Sequence, residues 1–186
     1  MIKPLILASK SPRRRELLSK MGLKFRIESI EVDESYPTDL DVKAVPKYLA
    51  ERKAIAHKQL LNEEILIAAD TLVILENQIL GKPENEEDAR LLLSKLSGKT
   101  HKVVTGVCLL SKEKMVSFQD TTEVTFKDLS PQEIDYYIKE YQPYDKAGAY
   151  GIQEWIGLIG VTKLKGSYYN VVGLPVQKVY QALINF

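Results

Sequence analysis

The chain alternates short apolar runs with stretches of helical periodicity, and this alternation constrains its fold more than any other feature. The runs "PLILA" at 4–8 and "ILIAA" at 65–69 are apolar at consecutive positions, which is typical of strands buried on both faces. Segments with apolar residues at helical spacing follow them, with no long linker, repeat or low-complexity tract between. The pattern therefore predicts an α/β protein.

Capping signals place the ends of several predicted helices. Ser11 and Pro12 suit the N-cap and first position of a helix that Gly22 stops, and Ser130 with Glu133 forms a capping box at another helix start. Further helices are predicted over 45–61, 85–97 and 176–184. Strands are predicted over 23–30, 65–75, 101–110, 115–126 and 154–166.

Length, charge and cysteine content narrow the class of protein. A chain of 186 residues suits one domain over 1–186, with room for two lobes around a cleft. Its 26 basic and 25 acidic residues leave a net charge of +1, so no overall positive field recruits nucleic acid. The single Cys108 cannot form an intramolecular disulfide, and the apolar runs are shorter than a membrane span. We therefore expect a cytoplasmic protein with no membrane partner.

Three consecutive arginines, Arg13, Arg14 and Arg15, occupy the first turn of the helix that Ser11 caps. The helix dipole is positive there, so each cation costs about 0.3–1 kcal/mol unless an anion compensates. Backbone N–H groups, the Ser9 hydroxyl and guanidinium donors suit phosphate oxygens, whereas a solvated basic turn is the alternative. We expect Arg13, nearest the helix start, to bind phosphate with assistance from Arg14, and Arg15 to lie at the surface.

Acidic residues at two places suggest metal or proton chemistry. Asp70 follows the apolar run 65–69, where a carboxylate can hold a divalent cation or accept a proton from water. A strand-end Asx-turn is the alternative for Asp70. Asp33 and Glu34, in the acidic segment "EVDESYP", could bring further carboxylates to the same cation or lie in a solvated loop.

Lysines at constrained positions are further candidates, although each is equally compatible with an ordinary surface lysine. Lys53 lies in the second predicted helix, Lys82 in the segment "LGKP", and Lys146 beside Asp145, which could pair with it. The chain has two histidines, one cysteine and no phosphate-loop or zinc motif, which disfavours histidine nucleophiles and zinc. Carboxylate, lysine and arginine chemistry remains, and it fits Mg²⁺ or Mn²⁺ with a phosphate substrate.

Six segments, taken together and in this order, resemble the motifs of the Maf family of nucleoside triphosphate pyrophosphatases. They are "LASKSPRRRELL", "ERKA", "AADTLVILENQILGKP", "LSGKTHKVVTGV", "DKAGAYGIQ" and "GSYYNVVGLP", and they extend from Leu7 to Pro175. The resemblance implies a mixed twisted β-sheet flanked by helices, as in the inosine triphosphate pyrophosphatases, with two lobes around a cleft. It also implies hydrolysis of a nucleoside triphosphate to the monophosphate and pyrophosphate, dependent on a divalent metal cation, Mg²⁺ or Mn²⁺.

The resemblance also implies roles for individual residues. The catalytic acid falls on Asp70, and the metal positions fall on Asp70 and Glu34, with Asp33 as the neighbouring option. The phosphate-binding basic positions fall on Arg13, Lys53 and Lys82, with Ser9 in the loop before Arg13, and Arg14 is the assisting residue expected from the arginine cluster itself. The specificity positions fall on Arg13, Thr71 and Gln153. This specificity set is similar to that of the branch acting on dTTP and UTP, and differs from the branch preferring methylated GTP, which typically carries Trp first.

Two other functions are compatible with the sequence. One is a non-enzymatic, nucleotide-sensing regulator of cell division or septum formation, and the other is the same hydrolysis of purine or methylated nucleotides. Modified pyrimidine nucleotides are a further expected substrate, and a homodimer is an expectation from the resemblance alone. A nucleic-acid partner is disfavoured, because the chain is near neutral and has no basic stripe with interleaved aromatic residues.

Overall fold

A computed structural model describes residues 3–186, so the first two residues of the predicted domain lie outside the described part. The strands are β1 (Leu5–Leu7), β2 (Phe25–Ile27), β3 (Ile65–Leu75), β4 (Gln78–Leu80), β5 (Thr100–Leu110), β6 (Met115–Phe126) and β7 (Val161–Lys165). The helices are α1 (Pro12–Lys20), α2 (Val45–Ala56), α3 (Glu86–Leu96), α4 (Pro131–Tyr141), α5 (Trp155–Gly160), α6 (Tyr168–Val172) and α7 (Val176–Ile184). The predicted α/β class is confirmed.

The seven strands form one mixed sheet in the order β2-β1-β3-β5-β6-β7, and β4 pairs with β3. β1 is parallel to both β2 and β3, with Leu5–Leu7 opposite Phe25–Ile27 on one side and Ile65–Ile67 on the other. β4 is antiparallel to β3, and β7 is antiparallel to β6. β1 ends at Leu7, opposite Ile67, so the chain leaves the sheet three residues before the position of Asp70 on β3.

Local capping chemistry sets the helix starts as the sequence predicts. The Ser11 hydroxyl accepts a hydrogen bond from the backbone N–H of Arg14 at the start of α1. Both hydrogen bonds of the capping box between Ser130 and Glu133 are formed at the start of α4. Gly22, after α1, has a φ of 73°, a conformation that favours glycine.

Two sequence predictions of secondary structure were wrong in part. The helix predicted over 45–61 ends at Ala56 and is followed by a 3-10 helix at Lys58–Leu60. The strand predicted over 154–166 is a helix in its first half, α5, and only β7 is extended. A Cβ at Gly157 would lie 1.9 Å from the carbonyl oxygen of Ile152, so the tight entry into α5 requires glycine.

The chain divides into two compact units, and β3, β5 and β6 contribute residues to both. The first unit comprises the described residues up to Thr71, with Thr105–Asp120 and Gly173–Phe186. Its core contains small and branched side chains from β1, α2, β3, β5 and two adjoining loop positions, namely Ile6, Ala8, Ala50, Ala54, Leu61, Leu66, Ala68, Cys108 and Leu110. A Cβ at Gly106 would lie 2.2 Å from the backbone nitrogen of Lys47, so glycine permits α2 to approach β5 closely.

The second unit comprises Leu72–Val104 and Thr121–Val172. Its larger core packs α3, α4 and α5 side chains with aromatic residues, and Tyr137 and Phe126 are among its fully buried members. His101 is buried here against Phe126 and Tyr150, and its Nε2 atom lies 2.7 Å from the Tyr150 hydroxyl. Within residues 3–186, no helix combines the length and apolar character needed to span a membrane.

Candidate active site

The start of α1 presents polar groups directly after β1. Ser9 is buried, and its hydroxyl accepts a hydrogen bond from the Ser11 N–H at 3.2 Å. No acidic side chain occupies the first turn of α1, so the dipole there is not offset by the helix itself. Arg13 and Arg14 are half-buried, whereas Arg15 is exposed, as predicted.

The Arg14 guanidinium is bound almost entirely by the protein. Its Nε donates to the Gly173 carbonyl at 2.9 Å, and its Nη2 donates to the Thr71 hydroxyl at 3.0 Å. Its Nη1 donates to the Ala69 carbonyl at 2.7 Å and to the Ser9 hydroxyl at 3.3 Å. These bonds use four of the five N–H donors of an arginine side chain. Two of them contact the residues immediately before and after Asp70.

Burial lowers the pKa of Arg14, and the positive charge of Arg13 acts in the same direction. The negative charges of Asp70 and Glu34 oppose this effect. Arginine stays protonated in proteins, so Arg14 is a half-buried cation whose donors face protein acceptors. The phosphate-binding role that the sequence assigns to Arg14 stays a prediction.

Lys53 joins the two predicted metal-binding carboxylates. Its Nζ lies 2.5 Å from Asp70 Oδ1 and 2.7 Å from Glu34 Oε1. Asp70 is buried in the middle of β3, which continues to Leu75 as predicted, so the alternative of a strand-end Asx-turn is excluded. A carboxylate on a continuous strand and an ammonium on a helix have few rotamer choices once paired, which gives the pair a defined orientation.

The His57 ring bridges the backbone of Lys53 and the backbone of Ile30, which precedes the acidic segment. Its Nδ1 lies 2.7 Å from the Lys53 carbonyl, and its Nε2 accepts a hydrogen bond from the Ile30 N–H at 3.1 Å. The ring is therefore neutral with its proton on Nδ1, and it links the end of α2 to the segment preceding Glu34. These two hydrogen bonds give His57 a structural role.

Asp33, the alternative to Glu34, has different partners. Its carboxylate accepts hydrogen bonds from the N–H and the hydroxyl of Ser35, and these bonds lower the pKa of Asp33. Arg52 Nη2 lies 3.6 Å from the same carboxylate. The structure thus brings Glu34, and not Asp33, to the Lys53 ammonium.

The Thr71 hydroxyl forms hydrogen bonds with other residues of the first unit. Besides the bond from Arg14, its Oγ1 lies 2.9 Å from Thr105 Oγ1 and 3.4 Å from the Gly173 carbonyl. Gly173 has a φ of 127°, which favours glycine and turns its carbonyl toward these donors. Sequence reasoning missed Thr105, and its signal was a hydroxyl within the otherwise apolar run of β5.

Lys82 and Gln153 belong to the second unit, and both are exposed there. Lys82 follows β4, and the carbonyl before it, that of Gly81, accepts a hydrogen bond from the Gly148 N–H at 2.9 Å. That bond joins the segment of Lys82 to the segment "DKAGAYGIQ" that carries Gln153. Lys146 pairs with Asp145 at 2.7 Å, as expected from the sequence, and also with Glu154 at 3.2 Å, which sequence reasoning missed.

The fit of a divalent cation can be judged from the donor set. Asp70 and Glu34 supply hard carboxylate oxygens on either side of Lys53. Within residues 3–186, no group of three or more His, Cys, Asp or Glu side chains is arranged to hold a metal ion. Two carboxylates suit Mg²⁺ or Mn²⁺ when phosphate oxygens and water complete the coordination, so these residues fit a cation that binds together with its substrate.

The sequence is similar to a family model and to several known proteins over nearly its whole length. The family model described as Maf-like protein matches residues 4–186. The dTTP/UTP pyrophosphatase of Phocaeicola vulgatus is 54% identical over 181 residues, which cover 96% of this chain and 94% of that protein. The dTTP/UTP pyrophosphatase of Parabacteroides distasonis is 50% identical over 184 residues, covering 98% and 95%.

The fold is also similar to that of a solved structure, the Ham1 protein of Staphylococcus aureus. The TM-score is 0.50 at 17% identity, over 68% of this chain and 73% of that one. At this identity the likeness concerns the fold alone. It confirms the predicted class of a mixed sheet flanked by helices.

Proposed function

The chain belongs to the Maf family, and from that premise we propose that it hydrolyses dTTP and UTP to the monophosphate and pyrophosphate. The observation that carries this proposal is the similarity, over at least 94% of their length, to relatives named dTTP/UTP pyrophosphatases. The protein is then an enzyme, a nucleoside triphosphate diphosphatase. Modified pyrimidine nucleotides that keep the same base edge are further substrates of this proposal.

Asp70 is the residue we assign to the reacting water. A water oxygen attacks the α-phosphorus, the bond from that phosphorus to the bridging oxygen breaks, and pyrophosphate leaves. Asp70 accepts the proton that the water loses. The contact with Lys53 and the two Arg14 bonds on either side of Asp70 support this role, because they hold the carboxylate in one orientation.

The substrate carries about four negative charges, which cationic side chains must offset. We assign Arg13, Lys53 and Lys82 to the phosphates, with Ser9 in the loop before α1. Asp70 and Glu34 would hold Mg²⁺ or Mn²⁺, which polarises the phosphate oxygens when bound. Arg14 has four donors on protein acceptors, and we assign it to holding Asp70 and Thr71 in place.

Gln153 is the residue we assign to the base, with Arg13 and Thr71 as the other specificity positions. A glutamine amide has both a donor and an acceptor, so it can pair with O4 and N3–H of uracil or thymine. The exposed side chain of Gln153 supports this role, because a base must reach it.

The remaining proposals concern surroundings and partners. We place the protein in the cytoplasm, because its one cysteine provides no intramolecular disulfide. A net charge of +1 supports a small-molecule substrate and no nucleic-acid partner. A homodimer stays a prediction of the family resemblance.

The test is a panel of nucleoside triphosphates assayed for pyrophosphate release with Mg²⁺ and with Mn²⁺. We expect the highest kcat/KM for dTTP and UTP, no release with a chelator, and loss of release in Asp70→Asn. Release confined to purine or methylated nucleotides would move the substrate assignment to that class. No release from any nucleotide would favour a nucleotide-sensing regulator.

A further inference from the structure

A tyrosine hydroxyl in the second unit forms hydrogen bonds with the residues at both ends of the turn that carries Gln153. Tyr137 lies on α4 and is fully buried. Its hydroxyl donates to Glu154 Oε2 and accepts a hydrogen bond from the Gly151 N–H at 3.0 Å. The Glu154 N–H in turn donates to the Gly151 carbonyl at 3.0 Å. Residues 151 and 154 are therefore fixed to α4 and to each other, with Gln153 between them.

A buried lysine holds the other oxygen of the same carboxylate. Lys146 is 8% exposed, and its Nζ lies 3.2 Å from Glu154 Oε1. Removing charges from water is costly, and apolar side chains of similar volume would stabilise such a site equally well. An ionic pair and a hydroxyl specify one geometry, however, because each oxygen of Glu154 has its own partner.

The burial of Tyr137 and the neighbouring Glu154 carboxylate raise the pKa of the Tyr137 hydroxyl. The hydroxyl therefore keeps its proton at neutral pH and serves as the donor to Glu154. This assignment leaves the oxygen of Tyr137 free to accept from Gly151, which matches the observed geometry.

The Gln153 amide and the Glu154 carboxylate both border the space above Gly151. A Cβ built at Gly151 would lie 3.0 Å from Gln153 Nε2 and 3.0 Å from Glu154 Oε2. The amide of Gln153 and the carboxylate of Glu154 thus share the space above one glycine. A carboxylate held at this place limits the room in which the neighbouring amide can turn.

We propose that Glu154, held by Tyr137 and Lys146, is a positioning residue that fixes the orientation of the Gln153 amide and so makes the enzyme discriminate against cytosine. The inference rests on the proposed function, in which Gln153 pairs with the base. Uracil presents O4 and N3–H, whereas cytosine presents a 4-amino group and N3, which reverses donor and acceptor. A freely rotating amide would serve both bases by turning over, but a fixed amide serves only one.

The experiment compares UTP with CTP in the wild type, Tyr137→Phe and Glu154→Gln. Tyr137→Phe removes the hydroxyl and keeps the ring, and Glu154→Gln keeps an acceptor for Tyr137 but removes the charge that Lys146 faces. We expect the ratio of kcat/KM for UTP over CTP to fall about tenfold in each, the scale of one hydrogen bond. The change should lie in KM, with kcat for UTP within about twofold.

Tyr141→Phe is the matched control, because Tyr141 lies on the same helix and its ring stacks on that of Tyr137. This control should keep the wild-type ratio. Thermal unfolding of each variant shows that it is folded at the assay temperature, and if Tyr137→Phe is not, Glu154→Gln decides. The proposal is wrong if either variant is folded and keeps the UTP-over-CTP ratio of kcat/KM within twofold of the wild-type ratio. It is also wrong if the wild type hydrolyses UTP and CTP with equal kcat/KM. A wild type that hydrolyses no nucleotide refutes the proposed function itself.

Discussion

Substituting lysine for Arg14 keeps a positive charge at the start of α1 but removes the planar fork of donors. The arginine reaches four acceptors, on Ser9, Ala69, Thr71 and Gly173. A lysine ammonium is a compact group that cannot span acceptors arranged around a guanidinium plane. We expect at least two of the four bonds to be lost.

The expected magnitude follows from these contacts. Hydrogen bonds from charged donors contribute about 1.5 kcal/mol each at the lower end, so losing two lowers the free energy of unfolding by about 3 kcal/mol. For a chain of this size the melting temperature should fall by roughly 6–12 °C. Because Ala69 and Thr71 flank Asp70, kcat for UTP should also fall, by about 10- to 100-fold.

The assay is urea unfolding of Arg14→Lys alongside kcat and KM for pyrophosphate release. Arg15→Lys is the matched control, since Arg15 is exposed in the same helical turn, and its free energy of unfolding should change by less than about 0.5 kcal/mol. If Arg14 instead binds phosphate, Arg14→Lys will raise KM and leave the unfolding midpoint unchanged. That result would refute the assignment of Arg14 to holding Asp70 and Thr71.

Three further predictions concern catalysis, specificity and pH. Asp70→Asn should lower kcat at least about 100-fold, while Lys53 keeps its contact with Glu34. If the variant still releases pyrophosphate at the wild-type rate, Asp70 does not accept the proton from water. Gln153→Glu should weaken the use of UTP, because a carboxylate cannot donate to O4, and an unchanged substrate profile in the nucleotide panel would reject the pairing. Burial lowers the pKa of His101 from 6.5 to about 4, so between these values the unfolded chain binds the proton and the folded chain does not. The free energy of unfolding should therefore decrease as pH falls through this window, by up to about 3 kcal/mol, and chemical unfolding at pH 7 and pH 5 should show a smaller decrease in His101→Gln. Equal decreases in both proteins would contradict a neutral buried His101.

Local interactions account for what the sequence alone determined. A cap forms between residues three apart, so Ser11 and Ser130 could be assigned as helix starts without knowledge of the fold. The apolar run 65–69 indicated a central strand, because a short run that is apolar at every position is typical of a strand covered on both faces. The family motifs identified the candidate site residues, because such motifs depend only on residue type and on the order of residues along the chain.

Only the tertiary structure decided which of those residues contact one another. Lys53 and Asp70 are 17 residues apart, and Arg14 and Gly173 are 159 residues apart, so their contacts depend on how the strands and helices pack. Arg13 and Arg14 look equivalent in the sequence, but the structure places four protein acceptors around the guanidinium plane of Arg14. Likewise, the segment 154–166, predicted as a strand, is a helix in its first half, where Ile156 is buried and Gly157 lies close to the Ile152 carbonyl oxygen. Short-range propensities could be predicted from the chain, but these long-range contacts arise only once the core brings distant residues together.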